Sequence, residues 1–169
     1  MMKSEKIIIS GPPGSGKTSI INSLLEKGYN CFQEINPTKI KTTEIKNDKF
    51  LLSEYLFQTR LEEYIKSIHQ LTFFDRSIVD VIAYLKLWKI QYPESWDKII
   101  LENRYYNKVF YTPIWEDIYE KTDIRLESFK ESVLIDDSLR KSYLYYKYNI
   151  IDVPKSDIEN RVEFIIKNI

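Results

Sequence analysis

Cysteine and histidine are nearly missing from this 169-residue chain: each occurs once, as Cys31 and His69. A disulfide framework within the chain, cysteine-built structural zinc and a site of several histidines around a metal are therefore excluded. Neither residue has a partner motif nearby, so both read as structural. Net charge is missing too, with 25 Lys and Arg against 25 Asp and Glu. Nothing overall draws the chain to nucleic acid or to an anionic membrane, although a local basic groove would not show in the sum. No apolar run approaches the roughly 20 residues that cross a bilayer. The opening Met-Met-Lys-Ser-Glu-Lys runs straight into Ile7-Ile8-Ile9 rather than into a signal-peptide pattern. What is present, 43% hydrophobic and 30% charged residues, suffices for a core and suits one domain of ordinary size. A cytoplasmic, reduced, soluble protein is the expectation.

Glycine is also scarce, and its placement carries information. Of four glycines, Gly11, Gly14 and Gly16 fall within six consecutive positions, and the fourth is Gly28. The stretch Gly11-Pro12-Pro13-Gly14-Ser15-Gly16-Lys17-Thr18 matches G-x-x-x-x-G-K-[ST] in full. A β-branched run precedes it, as a buried parallel strand requires. Ile20, Ile21, Leu24 and Leu25 follow at helical spacing, and Gly28 sits where a helix ends. Strand, glycine loop and helix together gather main-chain N–H groups around an anion at the positive end of a helix dipole. The residues assigned to nucleotide binding are Gly11, Gly14, Ser15, Gly16, Lys17, Thr18 and Ser19. Lys17 reaches the β- and γ-phosphates, and the Thr18 hydroxyl completes a Mg²⁺ shell. A glycine-rich turn matching by chance would lack these flanks.

The remaining chain alternates strand and helix. Strands are expected at about 6–10, 29–34, 71–75, 108–113 and 149–154. Helices are expected at about 17–27, 50–69, 78–90 with Ser77 as cap, 95–104, 124–146, and 156–168 with Ser156 as cap. Asn36 to Lys49 reads as loop. This order argues for an α/β fold, a parallel sheet with helices on both faces. Without repeat or linker, residues 1–169 read as a single nucleotide-binding domain, with a lid segment at about 115–130.

Ligands of such sheets bind beyond the carboxyl ends of the strands. Asp75 ends the apolar run Leu71-Thr72-Phe73-Phe74, the form of a strand whose terminal acid holds Mg²⁺ or a metal-bound water. Arg76 suits bidentate binding of phosphate or an anionic acceptor, and Asp80, one helical turn on, suits orienting Arg76. Glu34 ends the second strand, where it serves either as base or hydrogen-bond acceptor for a hydroxyl, or as a solvated loop residue. Arg125 and Lys121, with Asp123 as anchor, are candidates for a mobile cationic cover, though Lys121 reads better as solvated. Arg60 is a weaker candidate for acceptor binding. Pro154-Lys155-Ser156-Asp157 approximates the guanine-reading [NT]-K-x-D pattern, but proline lacks the side-chain amide. Trp88, Trp96, Tyr105 and Tyr106 read as packing residues rather than base-stacking platforms.

The phosphate loop, Glu34, Phe74-Asp75-Arg76, the Tyr119–Arg125 segment, and Val153-Pro154 leading to Glu159-Asn160-Arg161-Val162 together resemble a family. It is the small "predicted ATPase" group of P-loop proteins, similar to the nicotinamide-riboside kinase module and more distantly to deoxynucleoside and nucleoside monophosphate kinases. The resemblance runs over nearly the whole chain. It implies a three-layer P-loop NTPase with a five-stranded parallel sheet in the order 2-3-1-4-5, using ATP with Mg²⁺ for phosphoryl transfer to a small acceptor. It further implies Glu34 as the base, Asp75-Arg76 as the acid–arginine pair and Arg125 as the lid arginine. It places the loop from Pro154 beside adenine, supported by Arg161.

The expected function is thus an ATP/Mg²⁺-dependent kinase acting on a nucleoside-like hydroxyl. The catalytic set is Lys17, Glu34, Asp75, Arg76 and Arg125, and the metal set Thr18 and Asp75. The alternative is an NTP-hydrolysing or NTP-sensing module acting on a protein partner. A kinase for nucleic-acid ends is disfavoured by the balanced charge, and a membrane partner by the lack of a spanning segment.

Overall fold

The computed structural model describes residues 5–68, 71–118 and 128–169. Five parallel strands form one sheet: β1 (Glu5–Ser10), β2 (Asn30–Phe32), β3 (Leu71–Asp75), β4 (Lys108–Tyr111) and β5 (Asn149–Asp152), in the order β2-β3-β1-β4-β5. β1 is central, and Ile7, Ile8 and Ile9 are fully buried, so the β-branched run has no solvent face to alternate with. Its register sets Ile9 beside Asp75 and Ser10 beside Tyr111. The chain leaving β1 toward the phosphate loop is therefore flanked by the ends of β3 and β4.

The two-residue period of the strands divides the core in two. Ile7, Ile9, Phe73 and Phe110 pack with α1 (Lys17–Glu26) and α7 (Ile158–Lys167) through Ile20, Ile21, Leu24, Val162 and Ile165. Ile8, Phe74, Val109 and Tyr111 point the other way. They meet α3 (Lys49–Lys66), α4 (Ile78–Leu87), α5 (Ser95–Glu102) and α6 (Phe129–Tyr145). Helix, sheet and helix make three layers, as expected. Trp96 stacks on Phe57 with ring centroids 4.1 Å apart, and Tyr105 is buried in the same layer, so these aromatics are core. Cys31 is half-buried, and burial pushes its thiol up to about 12, where it is unreactive at neutral pH.

Helix starts follow local chemistry. Asp48 caps α3, accepting from Phe50 N and Leu51 N at 2.8 and 2.9 Å. Ser77 with Asp80 and Ser128 with Glu131 form capping boxes on α4 and α6. Three sequence expectations are corrected. The stretch from Asn36 to Lys49 carries a 3-10 turn at Pro37–Lys39 and α2 (Thr43–Asn47). The α7 cap is Asp157, whose carboxylate accepts from Asn160 N at 2.9 Å, in place of Ser156. The helix expected from about 124 begins at Phe129 within the described residues. Among the described residues no helix is long and apolar enough to cross a membrane.

Candidate active site

Two glycines explain the path of the phosphate loop. Gly11 has φ +149°, and a Cβ there would lie 2.2 Å from Thr112 Oγ1 and 2.3 Å from the Thr112 carbonyl oxygen. Gly16 has φ +86° and caps α1 in the left-handed region, where a Cβ would lie 2.5 Å from Arg161 Nη1. Between them, Ser15 Oγ lies 2.8 Å from the Pro12 carbonyl oxygen and 2.6 Å from Thr112 Oγ1. Thr112 Oγ1 lies 3.1 Å from the Ser10 carbonyl oxygen. Buried Ser15 thus spends its hydroxyl on holding the loop, which leaves only its main chain for an anion. α1 has no side-chain cap and no acidic residue in its first turn, so its leading N–H groups keep their affinity for an anion. Thr18 and Ser19 are exposed on that turn.

Lys17 is 4% exposed and donates from Nζ to the Pro12 carbonyl oxygen at 2.9 Å. Burial, and then the neighbouring Arg76 charge, lower its ammonium to about 8, against the opposing pull of Glu34, Asp75 and Asp80. Lys17 therefore remains mostly protonated at neutral pH.

Arg76 joins the two sides of the site. Its φ is +74°, a conformation disfavoured for a residue with a Cβ. Four hydrogen bonds hold it there. Its main-chain N donates to Ile9 O at 2.9 Å, Nε to Glu34 Oε1 at 2.8 Å, and Nη1 to Gly11 O at 3.1 Å and Asp80 Oδ1 at 3.3 Å. Asp80 is fully buried and also accepts from Ser10 Oγ at 2.6 Å, Ser77 N at 2.8 Å and the Tyr143 hydroxyl. Burial works against its ionisation, but Arg76, Arg60 and these hydrogen bonds keep its carboxyl below the usual range. Asp80 orients Arg76, as expected. Arg60 is buried with Nη1 on the Ser77 carbonyl oxygen at 3.1 Å, so it braces the start of α4.

The other two carboxylates contrast. Burial pushes upward on Glu34, but the Arg76 charge and hydrogen bond, with Lys17, outweigh it and pull the carboxyl down to about 2. Its side chain is 41% exposed, so water screens part of that attraction, and the group is ionised throughout the neutral range. Asp75 is 5% exposed, and neither of its oxygens has a hydrogen-bond partner among the described residues. Burial, then the charge of Glu34, raise it to about 6, against Lys17, Arg76 and Arg60. A buried carboxylate with both oxygens unpartnered calls for an explanation, and a divalent cation supplies one. Among the described residues no group of three or more His, Cys, Asp or Glu could hold a metal alone. Mg²⁺ keeps several waters and takes one or two protein ligands plus phosphate oxygens. Thr18 and Asp75 are the residues suited to it.

The arrangement is recognisable as a family's. A family model described as an AAA domain matches residues 6–161. The chain belongs to the AAA domain family. No curated protein matches this AAA-domain chain significantly, but solved structures do. Deoxyadenosine kinase from M. mycoides with bound dATP superposes at TM-score 0.73 and 16% identity, over 96% of this chain and 98% of that one. Thymidylate kinase from Ehrlichia chaffeensis does so at TM-score 0.66 and 17% identity, over 98% of each chain. NadR in complex with NR does so at TM-score 0.69 and 16% identity, over 97% of this chain and 50% of that one. The AAA domain thus takes the P-loop kinase fold, with the strand order implied by the sequence resemblance.

Tyr119, Lys121, Asp123 and Arg125 lie outside the described residues, as does His69. Pro154 is exposed in the loop between β5 and α7. Arg161 has a different place from the one expected beside that loop. It is 1% exposed beneath the phosphate loop, donates from Nη2 to the Ser15 carbonyl oxygen at 2.9 Å, and lies 5.6 Å from the Trp115 ring. Thr112 is a loop-holding residue that sequence reasoning missed, and Arg161 is one that it assigned to the Pro154 loop instead. Only the topology, which brings the end of β4 and the face of α7 to the loop, could have signalled them.

Proposed function

We propose that this chain is an ATP- and Mg²⁺-dependent kinase that phosphorylates a hydroxyl of a small, nucleoside-like acceptor. The observation that carries the reading is the double grip of Arg76. One guanidinium holds the Gly11 carbonyl of the phosphate loop and the Glu34 carboxylate across from it, fixing a phosphate-binding element and an acceptor-facing anion in one frame. A carboxylate so placed can orient an acceptor hydroxyl as it would an attacking water, and the acceptor panel below separates the two. The kinase names of the structural neighbours support a nucleoside-like acceptor.

In this reading the N–H groups of Gly14 to Thr18 and the Lys17 ammonium hold the phosphates, and Ser19 flanks them on α1. Thr18 and Asp75 hold Mg²⁺, which when bound neutralises phosphate charge. Arg125, outside the described residues, is the cation assigned to the charge of the transferring group, and Pro154 is assigned to the base. Glu34, ionised and held by Arg76, aligns the acceptor hydroxyl. With so little basicity it takes the proton late, once the new P–O bond has made that oxygen acidic, as a loose transition state allows. The acceptor is a soluble small molecule, and the setting is cytoplasmic.

The test is ADP release with Mg·ATP against a panel of nucleosides, nucleotides and vitamins. The proposal requires one class to stimulate release and to appear phosphorylated by mass spectrometry, with Lys17→Ala inactive. Slow release indifferent to every acceptor would instead indicate an NTP-hydrolysing or NTP-sensing module.

A further inference from the structure

The hydroxyls behind the phosphate loop are outnumbered by their contacts. Ser15 Oγ lies 2.8 Å from the Pro12 carbonyl oxygen and 2.6 Å from Thr112 Oγ1, which in turn lies 3.1 Å from the Ser10 carbonyl oxygen. A hydroxyl carries one proton, and a carbonyl has none to donate. Two protons therefore serve three contacts, and two arrangements keep the short bond between the hydroxyls. In one, Ser15 donates to Thr112 and Thr112 donates to the Ser10 carbonyl. In the other, Thr112 donates to Ser15 and Ser15 donates to the Pro12 carbonyl.

Each arrangement leaves one carbonyl without a hydroxyl, and each of those carbonyls has a second donor. Thr112 N donates to Ser10 O at 2.8 Å, and Lys17 Nζ donates to Pro12 O at 2.9 Å. The second donors differ in permanence. The main-chain N–H is fixed by the register of β1 and β4, whereas the Lys17 ammonium ends a flexible side chain and is the group assigned to a nucleotide's phosphates. Once that ammonium moves to a phosphate, the buried Pro12 carbonyl has only Ser15 left to donate to it among the described residues. Left bare, it would subtract its desolvation cost from the affinity for nucleotide.

We propose that Ser15 is a positioning residue for nucleotide binding, the donor that takes over the Pro12 carbonyl as Lys17 leaves it. Thr112 turns in concert: its hydroxyl swings from the Ser10 carbonyl to Ser15, while Ser10 keeps the Thr112 N–H. No proton changes owner, and only two hydroxyls rotate. The inference rests on the reading of Lys17 as the phosphate-binding ammonium.

Two measurements test it. The first needs no nucleotide and compares melting temperatures of the parent, Ser15→Ala, Lys17→Met and the doubly substituted chain. Each single variant keeps one donor on the Pro12 carbonyl and the double variant keeps none. Its loss should exceed the sum of the single shifts by at least about 3 °C. A double variant that fails to fold while both single variants fold shows the same excess. The second is calorimetric titration with Mg·ATP. Ser15→Ala should bind at least about fivefold more weakly than the parent, whereas Thr112→Val, which keeps the Ser15 hydroxyl, should stay within about threefold. A hydroxyl that merely shaped the loop would weaken binding alike in the two variants and give additive melting shifts, and either result would overturn the proposal. A parent that takes up no Mg·ATP while the melting excess persists would overturn the reading of Lys17 and the trigger with it, leaving the shared donor as a structural contact.

Discussion

Arg161, on the last helix, donates from Nη2 to the carbonyl oxygen of Ser15, in the loop that follows the first strand, at 2.9 Å. The same guanidinium fills the space beside Gly16 and lies near Trp115. The two ends of the chain thus meet behind the phosphate loop. The contact holds the loop from the side opposite Arg76, whose Nη1 grips the Gly11 carbonyl.

Arg161→Met is therefore expected to loosen the loop rather than remove a catalytic group. KM for ATP should rise about tenfold, equivalent to about 1.4 kcal/mol, with kcat changed much less. Trp115 emission should shift as the cation leaves its ring. Arg161→Lys restores charge without the planar fork and should recover only part of the affinity. Unchanged KM in Arg161→Met would show that the loop holds its shape without this contact.

Gly11 yields a sharper steric prediction. Its missing Cβ is replaced by both the side chain and the main chain of Thr112. Gly11→Ala should destabilise the fold by about 2–4 kcal/mol, as overpacking with backbone strain does, read as a lowered midpoint in urea. Adding Thr112→Ala removes Oγ1 but leaves the carbonyl oxygen at 2.3 Å, so the double variant should stay as unstable. Rescue by the second change would mean that the main chain yields more easily than this packing implies.

What was legible from residues alone follows sequence distance. The phosphate loop and the acid ending β3 are contiguous signals, and β3 falls at Leu71–Asp75 as read. α2 escaped notice because none of its residues is buried, so no apolar period announces it. The capping box of Ser128 and Glu131 is a local signal that would have placed the start of α6 correctly. The Arg76–Glu34 pair joins residues 42 apart, and Arg161 reaches Ser15 across 146. No local pattern encodes such contacts, which exist only once the sheet has set its register.

Glu34 and Arg76 give a kinetic prediction. If Glu34 orients the hydroxyl, Glu34→Gln keeps a hydrogen-bonding shape but loses the anion. kcat should fall about 10²–10⁴-fold, while KM for ATP, set on the far side of Arg76, should move little. The half-exposed ion pair contributes at most about 1 kcal/mol to stability, so the melting temperature should hardly change. A loss of ATP affinity matching the loss of kcat would reassign Glu34 to holding the loop.

Asp75 links stability to pH in the opposite sense from most carboxylates. Its folded value, raised to about 6, lies above the roughly 3.9 of an unfolded Asp. Between those values the native state holds a proton that the unfolded chain has released, so the slope of unfolding free energy with pH is negative. Stability is present below pH ~4 and is lost as pH rises through about 6, at a cost on the order of 3 kcal/mol. Asp75→Asn removes that cost, and the variant should melt above the parent at pH 7.5, with the difference shrinking toward pH 4. Mg²⁺, which favours the ionised form, should raise the parent's melting temperature at pH 7.5 and the variant's much less. A variant that melts below the parent at pH 7.5, or gains as much from Mg²⁺, would mean that the carboxylate is already satisfied by the protein and that the cation binds elsewhere.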